Sequence, residues 1–316
     1  MMLASYSVDL FMTSSHFYYQ RYIDHLMLKR YRDEGLVVLT KIDFWNGSEA
    51  RLNLSEAKGL RVDRKQRYRI EHDLLGDMFH HVVEQGDPRM VGFEEETGRR
   101  YSTIPLAADD TMLGLVEYDN ALRSDIAFIG TFLPSKRSFF RKYVFPLGDY
   151  YNLRLWGQGW NRTGRLIGNV KRLGQLYNIP VLAKVGAPKL SLVNELSIYR
   201  SSLVSINVHE EQQKYYGGDC NERTFKIPLS GGFEVVDNVA CVGKYFNCGS
   251  EMVVAANDAD WRDKVEFYLR HPDERIPIIE AGRRRVLDSH TYQVRVQQIE
   301  KLYNEFVRDK WGWERS

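Results

Sequence analysis

The chain has little cysteine, no long apolar run and almost no net charge, and each absence narrows its class. Its only cysteines are Cys220, Cys241 and Cys248. The number is odd and none stands in a C-x-x-C pair, which argues against a disulfide framework and against a thiolate zinc site. A reducing, cytoplasmic setting is the expectation. No apolar stretch approaches the roughly 20 residues that a spanning helix needs. The opening MMLASYSVDLFMTSSH has no basic segment followed by a long apolar one, so no signal peptide is expected. Any membrane contact would be peripheral. The formal net charge is +2, too small to imply a nucleic-acid partner by itself.

What is present is ordinary globular material. Hydrophobic residues make up 43% and charged residues 27%, enough for a sizeable core. At 316 residues the chain suits two domains. Its 19 Tyr, 15 Phe and 6 Trp fit carbohydrate-binding surfaces as readily as cores and interfaces.

Apolar runs bounded by turn residues predict strands at Val8–Met12, Leu36–Ile42, Arg100–Ile104, Asp125–Gly130, Leu153–Trp156, Leu203–Val208, Phe233–Val236 and Met252–Ala255. Helical spacing predicts Phe17–Arg32, Asp73–Glu84, Ser135–Val144, Arg165–Tyr177, Leu190–Arg200, Glu222–Leu229, Asp258–Arg270, Asp273–Leu287 and Thr291–Lys310. The β-α-β order favours parallel sheets. A polar, aperiodic stretch at Tyr118–Ser124 suggests the boundary between an N-terminal domain of residues 1–122 and a second domain of residues 123–292, with a C-terminal helix at 293–316. The basic stretch Arg51–Arg69 reads as a solvated surface or as a patch for an anionic acceptor.

The segment GGDCNERTFKIPLSGGF, residues 217–233, carries the most chemistry. Gly217 and Gly218 permit a tight turn, and Asp219 or Asn221 can cap the helix that comes next. Free N–H groups at a helix start form an anion site. Arg223 and Lys226, three apart, share a face and suit a diphosphate. Pro228 should bend or shorten the helix, and Ser230-Gly231-Gly232 lets the backbone turn closely into the next strand. A capped helix with a glycine turn and no ligand gives the same pattern.

From Asp125 to Arg295 the sequence resembles the C-terminal domain of GT-B glycosyltransferases, and it is most similar to the group-one-like proteins related to the spore maturation protein CgeB. The resemblance rests on FIGTFLPSKR, LRLWGQGW, INVH, NERTFKIPLSGGF, YLRHPDER and AGRRRVLDSHTYQVR in that order. Over the first 120 or so residues it rests only on VDLFMTSS and TGRRYSTIPLAAD. It implies an α/β fold of two Rossmann-like domains facing a cleft, with a shortened N-terminal domain and a C-terminal helix that crosses back. It implies transfer of a sugar from a UDP- or GDP-sugar donor, with no metal and no other cofactor. The acceptor could be a glycan, a small molecule, a protein or a modified nucleic-acid base.

By the same resemblance, Gly130 and Thr131 would approach the diphosphate through backbone amides, with the basic Lys136 and Arg137 after them. Gly157, Lys184 and Gly186 fall where the family contacts the base. His209, Asn221, Arg223, Thr224, Phe225, Lys226, Gly231 and Gly232 complete the expected nucleotide-sugar site. The family usually has a glutamate at the position of Lys226, where it accepts from ribose hydroxyls, and a lysine has donors only. Asp219 lies near where related enzymes set an acid against the donor sugar. The candidate bases are His16 and Asp43, which come after the first and second strands, and the adjacent His80 and His81. The N-terminal half is short for this fold, so either the fold is trimmed or a partner replaces the missing strands, a cover that a homodimer could supply. A non-catalytic nucleotide-sugar-binding or scaffold protein is the competing reading.

Overall fold

A computed structural model describes residues 8–14, 24–45, 76–157, 159–160, 166, 169–170, 173–174, 176–177, 179–183 and 190–312. The chain divides into two compact units, 1–105 with 295–316, and 106–294. The division falls earlier than the Tyr118–Ser124 stretch. The intervening residues pack within the second unit: Ala108 bridges Thr291, and Val116 joins a cluster with Leu196, Tyr199 and Ile227. The start of the last helix also goes with the second unit, which extends to Val294.

The first unit holds a parallel four-stranded sheet, β1 (Leu10–Ser14), β2 (Val37–Lys41), β3 (Met78–His81) and β4 (Ser102–Thr103), paired in that order. Helix α1 (His25–Asp33) begins at Asp24, whose carboxylate accepts from Leu26 N at 3.0 Å and Met27 N at 3.1 Å. Val37, Val38 and Leu39 are fully buried, as expected of a parallel strand covered on both faces.

Helical spacing predicts a helix over residues 73–84, but Met78–His81 is strand β3. Its apolar residues fit either period, and tertiary pairing decided the outcome. The Asp77 carboxylate accepts from Val38 N at 3.0 Å and from Arg32 at 3.0 and 3.1 Å, which pins the segment beside β2. His80 and His81 therefore alternate across a sheet.

The second unit is a parallel five-stranded sheet in the order β6-β5-β7-β8-β9. The strands are β5 (Ser124–Ile129), β6 (Leu153–Trp156), β7 (Ser202–Asn207), β8 (Glu234–Val236) and β9 (Val253–Val254). The chain leaves β5 for β6 on one side and returns to β7 on the other. The carboxyl ends of β5 and β7 thus form the point where strand order reverses, the usual ligand position in such sheets. Among the described residues, the longer helices that pack around this sheet and its loops are α2 (Leu192–Ser201), α3 (Glu211–Tyr216), α4 (Arg223–Ser230), α5 (Asp258–Arg270) and α6 (Arg275–Ser289). On one face of the sheet Ile126, Phe128, Val204 and Ile206 pack with Phe140 and Trp261. On the other Ala127 and Ile129 pack under Leu196, Tyr199 and Ile227.

The last helix, α7 (Tyr292–Trp311), places Tyr303 and Val307 against Val37 in the first unit. Among the described residues, no helix is long and apolar enough to cross a membrane.

Candidate functional site

The end of β7 carries Asn207, Val208 and His209, and Arg223 begins α4 beside them. Asn221 Oδ1 accepts from Arg223 N at 3.0 Å, just before α4, while the cap position itself falls to Glu222, whose side chain makes no cap bond. Arg223 donates from Nε to Asn207 Oδ1 at 3.0 Å, from Nη2 to the Val208 carbonyl at 3.2 Å and from Nη1 to the Ile129 carbonyl at 3.4 Å. Its guanidinium also stands 5.3 Å from the centre of the Phe128 ring. Four contacts therefore clamp a planar cation where β5 and β7 end.

Lys136 reaches the same place from the turn after β5. Its ammonium donates to the same Val208 carbonyl, and the residue is buried. Burial and the adjacent Arg223 charge lower the lysine to about 8, against the opposing pull of Asp237 and Glu210. Among the described residues, neither Lys136 nor Arg223 has a carboxylate within ion-pair distance. Two cations share one neutral oxygen, an arrangement that a bound anion would relieve.

His209 is buried behind them. Its Nδ1 lies 2.6 Å from Asp237 Oδ1, and its backbone N donates to the same carboxylate at 2.9 Å. Lys214 completes the group at 2.8 Å from Asp237 Oδ2. Burial lowers the His209 pKa despite this neighbour. Burial opposes ionisation of Asp237, but the contacts with His209 and Lys214 outweigh it and hold the carboxyl at about 2. A neutral imidazole donating to an anionic Asp237 satisfies every atom, with Nε2 left facing Thr224 Oγ1 at 3.3 Å. His209 supports the site and is not exposed to a ligand.

Several expected ligands have other work. The Gly130 amide is not open to a diphosphate, because it donates to the Trp156 carbonyl at 2.9 Å, and the Gly130 carbonyl accepts from Trp160 Nε1 at 2.7 Å. Thr131 is exposed beside it. Gly157 has φ +116°, and a Cβ there would collide with the Gly130 carbonyl, so close backbone approach accounts for this glycine. Arg137 lies over Phe132 at 5.5 Å. Phe225 is wholly buried among Cys220, Leu229 and Val236, and is a core residue. Gly231 and Gly232 lie at the far end of α4, about 1.5 Å per residue along the helix from Arg223. A Cβ on Gly232 would sit 2.8 Å from the Tyr199 carbonyl, a packing constraint.

Lys226 does not pair with Arg223 as a diphosphate clamp. It is bound to Glu222 at 2.7 Å and Glu195 at 3.4 Å. Burial works against its charge, but these carboxylates outweigh it and raise the lysine. The second cation beside Arg223 is Lys136, which is 87 residues away in sequence and arrives through the sheet topology. Asp219 accepts from Gln213 Nε2 at 2.8 Å.

In the first unit, Asp43 comes just after β2. His81 is buried and accepts from Val83 N at 3.1 Å, and burial, then Lys41 and Arg89, lowers it to about 3. Burial and Lys41 lower His80 to about 4. His16, Lys184, Gly186 and the basic Arg51–Arg69 stretch lie outside the described residues.

Residues 137–301 match the family described as Glycosyl transferase-like. The chain belongs to that family. As a glycosyltransferase it has the GT-B fold, and three solved structures share that architecture at low identity. Sucrose-phosphate synthase from Thermosynechococcus elongatus aligns with TM-score 0.57 and 14% identity, over 98% of this chain and 76% of its own. Trehalose 6-phosphate synthase from Burkholderia multivorans aligns with TM-score 0.56 and 14% identity, over 98% and 74%. Anabaena HepE, solved with UDP and glucose, aligns with TM-score 0.52 and 10% identity, over 94% and 78%. No curated protein matches the chain by sequence.

The residues that sequence reasoning missed are Asn207, Glu234 and Asp237. A signal was present for Glu234, a charged residue opening an otherwise apolar strand. Asn207 stands inside the INVH run, one residue from the carbonyl that both cations share.

Proposed function

We propose that this glycosyltransferase takes a nucleoside-diphosphate sugar, a UDP- or GDP-sugar, and transfers its sugar to a hydroxyl acceptor without a resident metal. The donor diphosphate sits against Arg223 and Lys136 in the second unit, and the first unit serves the acceptor. The observation that carries this reading is the shared Val208 carbonyl, with two cations on it and no carboxylate paired to either among the described residues. The HepE structure, which holds UDP and glucose, supports a nucleotide donor. The order of motifs supports a place near the CgeB-related group.

In the transfer, the acceptor oxygen bonds to the anomeric carbon as the bond from that carbon to the β-phosphate oxygen breaks. The diphosphate leaves with the electron pair, and Arg223 and Lys136 offset its growing charge. The hydroxyl proton passes to a carboxylate or imidazole, for which Asp43, Asp219 and His16 are the candidates. The acceptor is a glycan, a small molecule, a protein or a modified nucleic-acid base, and the protein acts in the cytoplasm, as a homodimer if the first unit needs cover.

Calorimetry with UDP and GDP, then donor hydrolysis with and without EDTA, tests the proposal. Arg223→Ala should weaken nucleotide binding at least tenfold, in line with about 1.5–3 kcal/mol for a hydrogen bond to a charged group. Unchanged affinity in Arg223→Ala would place the donor elsewhere. Tight binding without hydrolysis or transfer would favour a binding-only protein, which the ion-paired Lys226 in the family's glutamate position also fits. Light scattering that shows an active monomer would remove the dimer.

A further inference from the structure

Glu234 stands at the start of β8, wholly enclosed, in a place where an apolar residue would cost less. Its Oε1 accepts from Asn207 Nδ2 at 2.8 Å, and its Oε2 has no hydrogen-bond partner among the described residues. Burial pushes its carboxyl up to about 8, so near neutrality it is held mainly as the uncharged acid. A carboxyl buried at a core position of a strand calls for an explanation.

Asn207 supplies one. It is fully buried and all of its amide capacity is in use. Oδ1 accepts from Arg223 Nε at 3.0 Å and Asn221 Nδ2 at 2.9 Å. Nδ2 donates to Glu234 Oε1 at 2.8 Å and Thr224 Oγ1 at 3.1 Å. Turning the amide over would set its NH2 against two donors and its oxygen against Glu234. Thr224 accepts as well, because its own proton faces the Nε2 lone pair of neutral His209 at 3.3 Å. The Glu234 and Thr224 acceptors and the Arg223 and Asn221 donors together fix which way the amide faces.

We propose that Glu234 is a positioning residue for donor binding: it orients the Asn207 amide, which in turn holds the Arg223 guanidinium in the plane that meets the diphosphate. This role rests on the donor-site reading. Without this support the guanidinium fork would lose the one contact that fixes Nε. The remaining carbonyl contacts, at 3.2 and 3.4 Å, are longer. Glu234 acts only through Asn207 and does not touch the nucleotide.

The test uses UDP as the probe, with calorimetry and thermal melting on the full chain. Glu234→Gln keeps an oxygen for Asn207 and should bind UDP within about twofold of the parent. Glu234→Met fills similar space without an acceptor. It should bind about tenfold more weakly, as expected for one hydrogen bond's worth of orientation, while melting at or above the parent temperature. In an Arg223→Lys background, which has no Nε to align, Glu234→Met should cause no further loss. Three results would overturn the proposal: unchanged affinity in Glu234→Met, an equal loss in both backgrounds, or a Met variant that fails to fold or melts several degrees lower. If instead Arg223→Ala leaves UDP affinity intact, the donor-site reading itself fails, and that outcome is separable from the others.

Discussion

Lys136, lowered to about 8 by burial and the adjacent Arg223, loses its proton within the working range of an enzyme. The charged and titrating groups around Lys136 are Arg223, Asp237, Glu210 and Lys214. Asp237 is ionised throughout that range at about 2. UDP affinity should therefore fall as pH rises from 7 to 9, and Lys136→Met should bind more weakly with most of that slope gone. Calorimetry at three pH values measures both. Glu234 titrates in the same window, so the slope should persist in Glu234→Gln; its loss there would move the assignment from Lys136 to Glu234. Lys226 illustrates the opposite case, a cation whose neighbours Glu222 and Glu195 already balance it. At this scale charge alone says little, and the partner of each charge decides what it is free to bind.

At the scale of elements, β8 contains a proton-linked cost. Glu234 ionises near 4.5 in the unfolded chain and near 8 when folded, because burial disfavours its charge. The folded state therefore holds a proton that the unfolded state releases between these values, and stability falls as pH rises from about 4.5 to 8. Glu234→Gln cannot release that proton. Its melting temperature should gain steadily on the parent as pH rises from 5 to 8. A constant difference across that range would rule out the linkage. The turn after β6 is constrained in another way. Gly157 sits at φ +116° against the Gly130 carbonyl, and Gly157→Ala should cost about 1–3 kcal/mol in urea unfolding through backbone strain alone. The turn after β5 should move with it, so nucleotide binding should weaken as well. A variant as stable as the parent would mean that the two turns can separate.

At the scale of the whole molecule, the second unit carries its own cores. Its clusters, built on residues such as Phe128 and Trp261, Phe225 and Val286, and Leu196 and Tyr199, all lie within 106–294. A protein of residues 106–294 should fold cooperatively and keep UDP binding within a few-fold, without transfer activity. Circular dichroism melting and calorimetry check this, and an unfolded fragment would sink it. The first unit is built differently, because its core borrows Tyr303 and Val307 from the end of the chain, across the entire second unit.

Local pattern was enough to determine most of the elements. The helix at Asp258–Arg270 has the predicted bounds, because Asn257 supplies a strong cap, and Leu153–Trp156 is the predicted strand. The parallel α/β class came from the order of those elements, and motif order in the second half gave the family. What local pattern lacked was information on partners. Residues 78–81 became a strand because Asp77 and the free edge of β2 were there to receive them. Lys136 joined Arg223, and Lys226 did not, because the sheet order brings the turn after β5 to the end of β7, while α4 turns Lys226 toward Glu195. The sequence by itself determined which residues carry charge and which segments repeat at strand or helix spacing, since both are properties of neighbours along the chain. Only the tertiary structure decided which charges are neutralised and which stay available, because that depends on residues tens of positions apart meeting in a buried, weakly screened place.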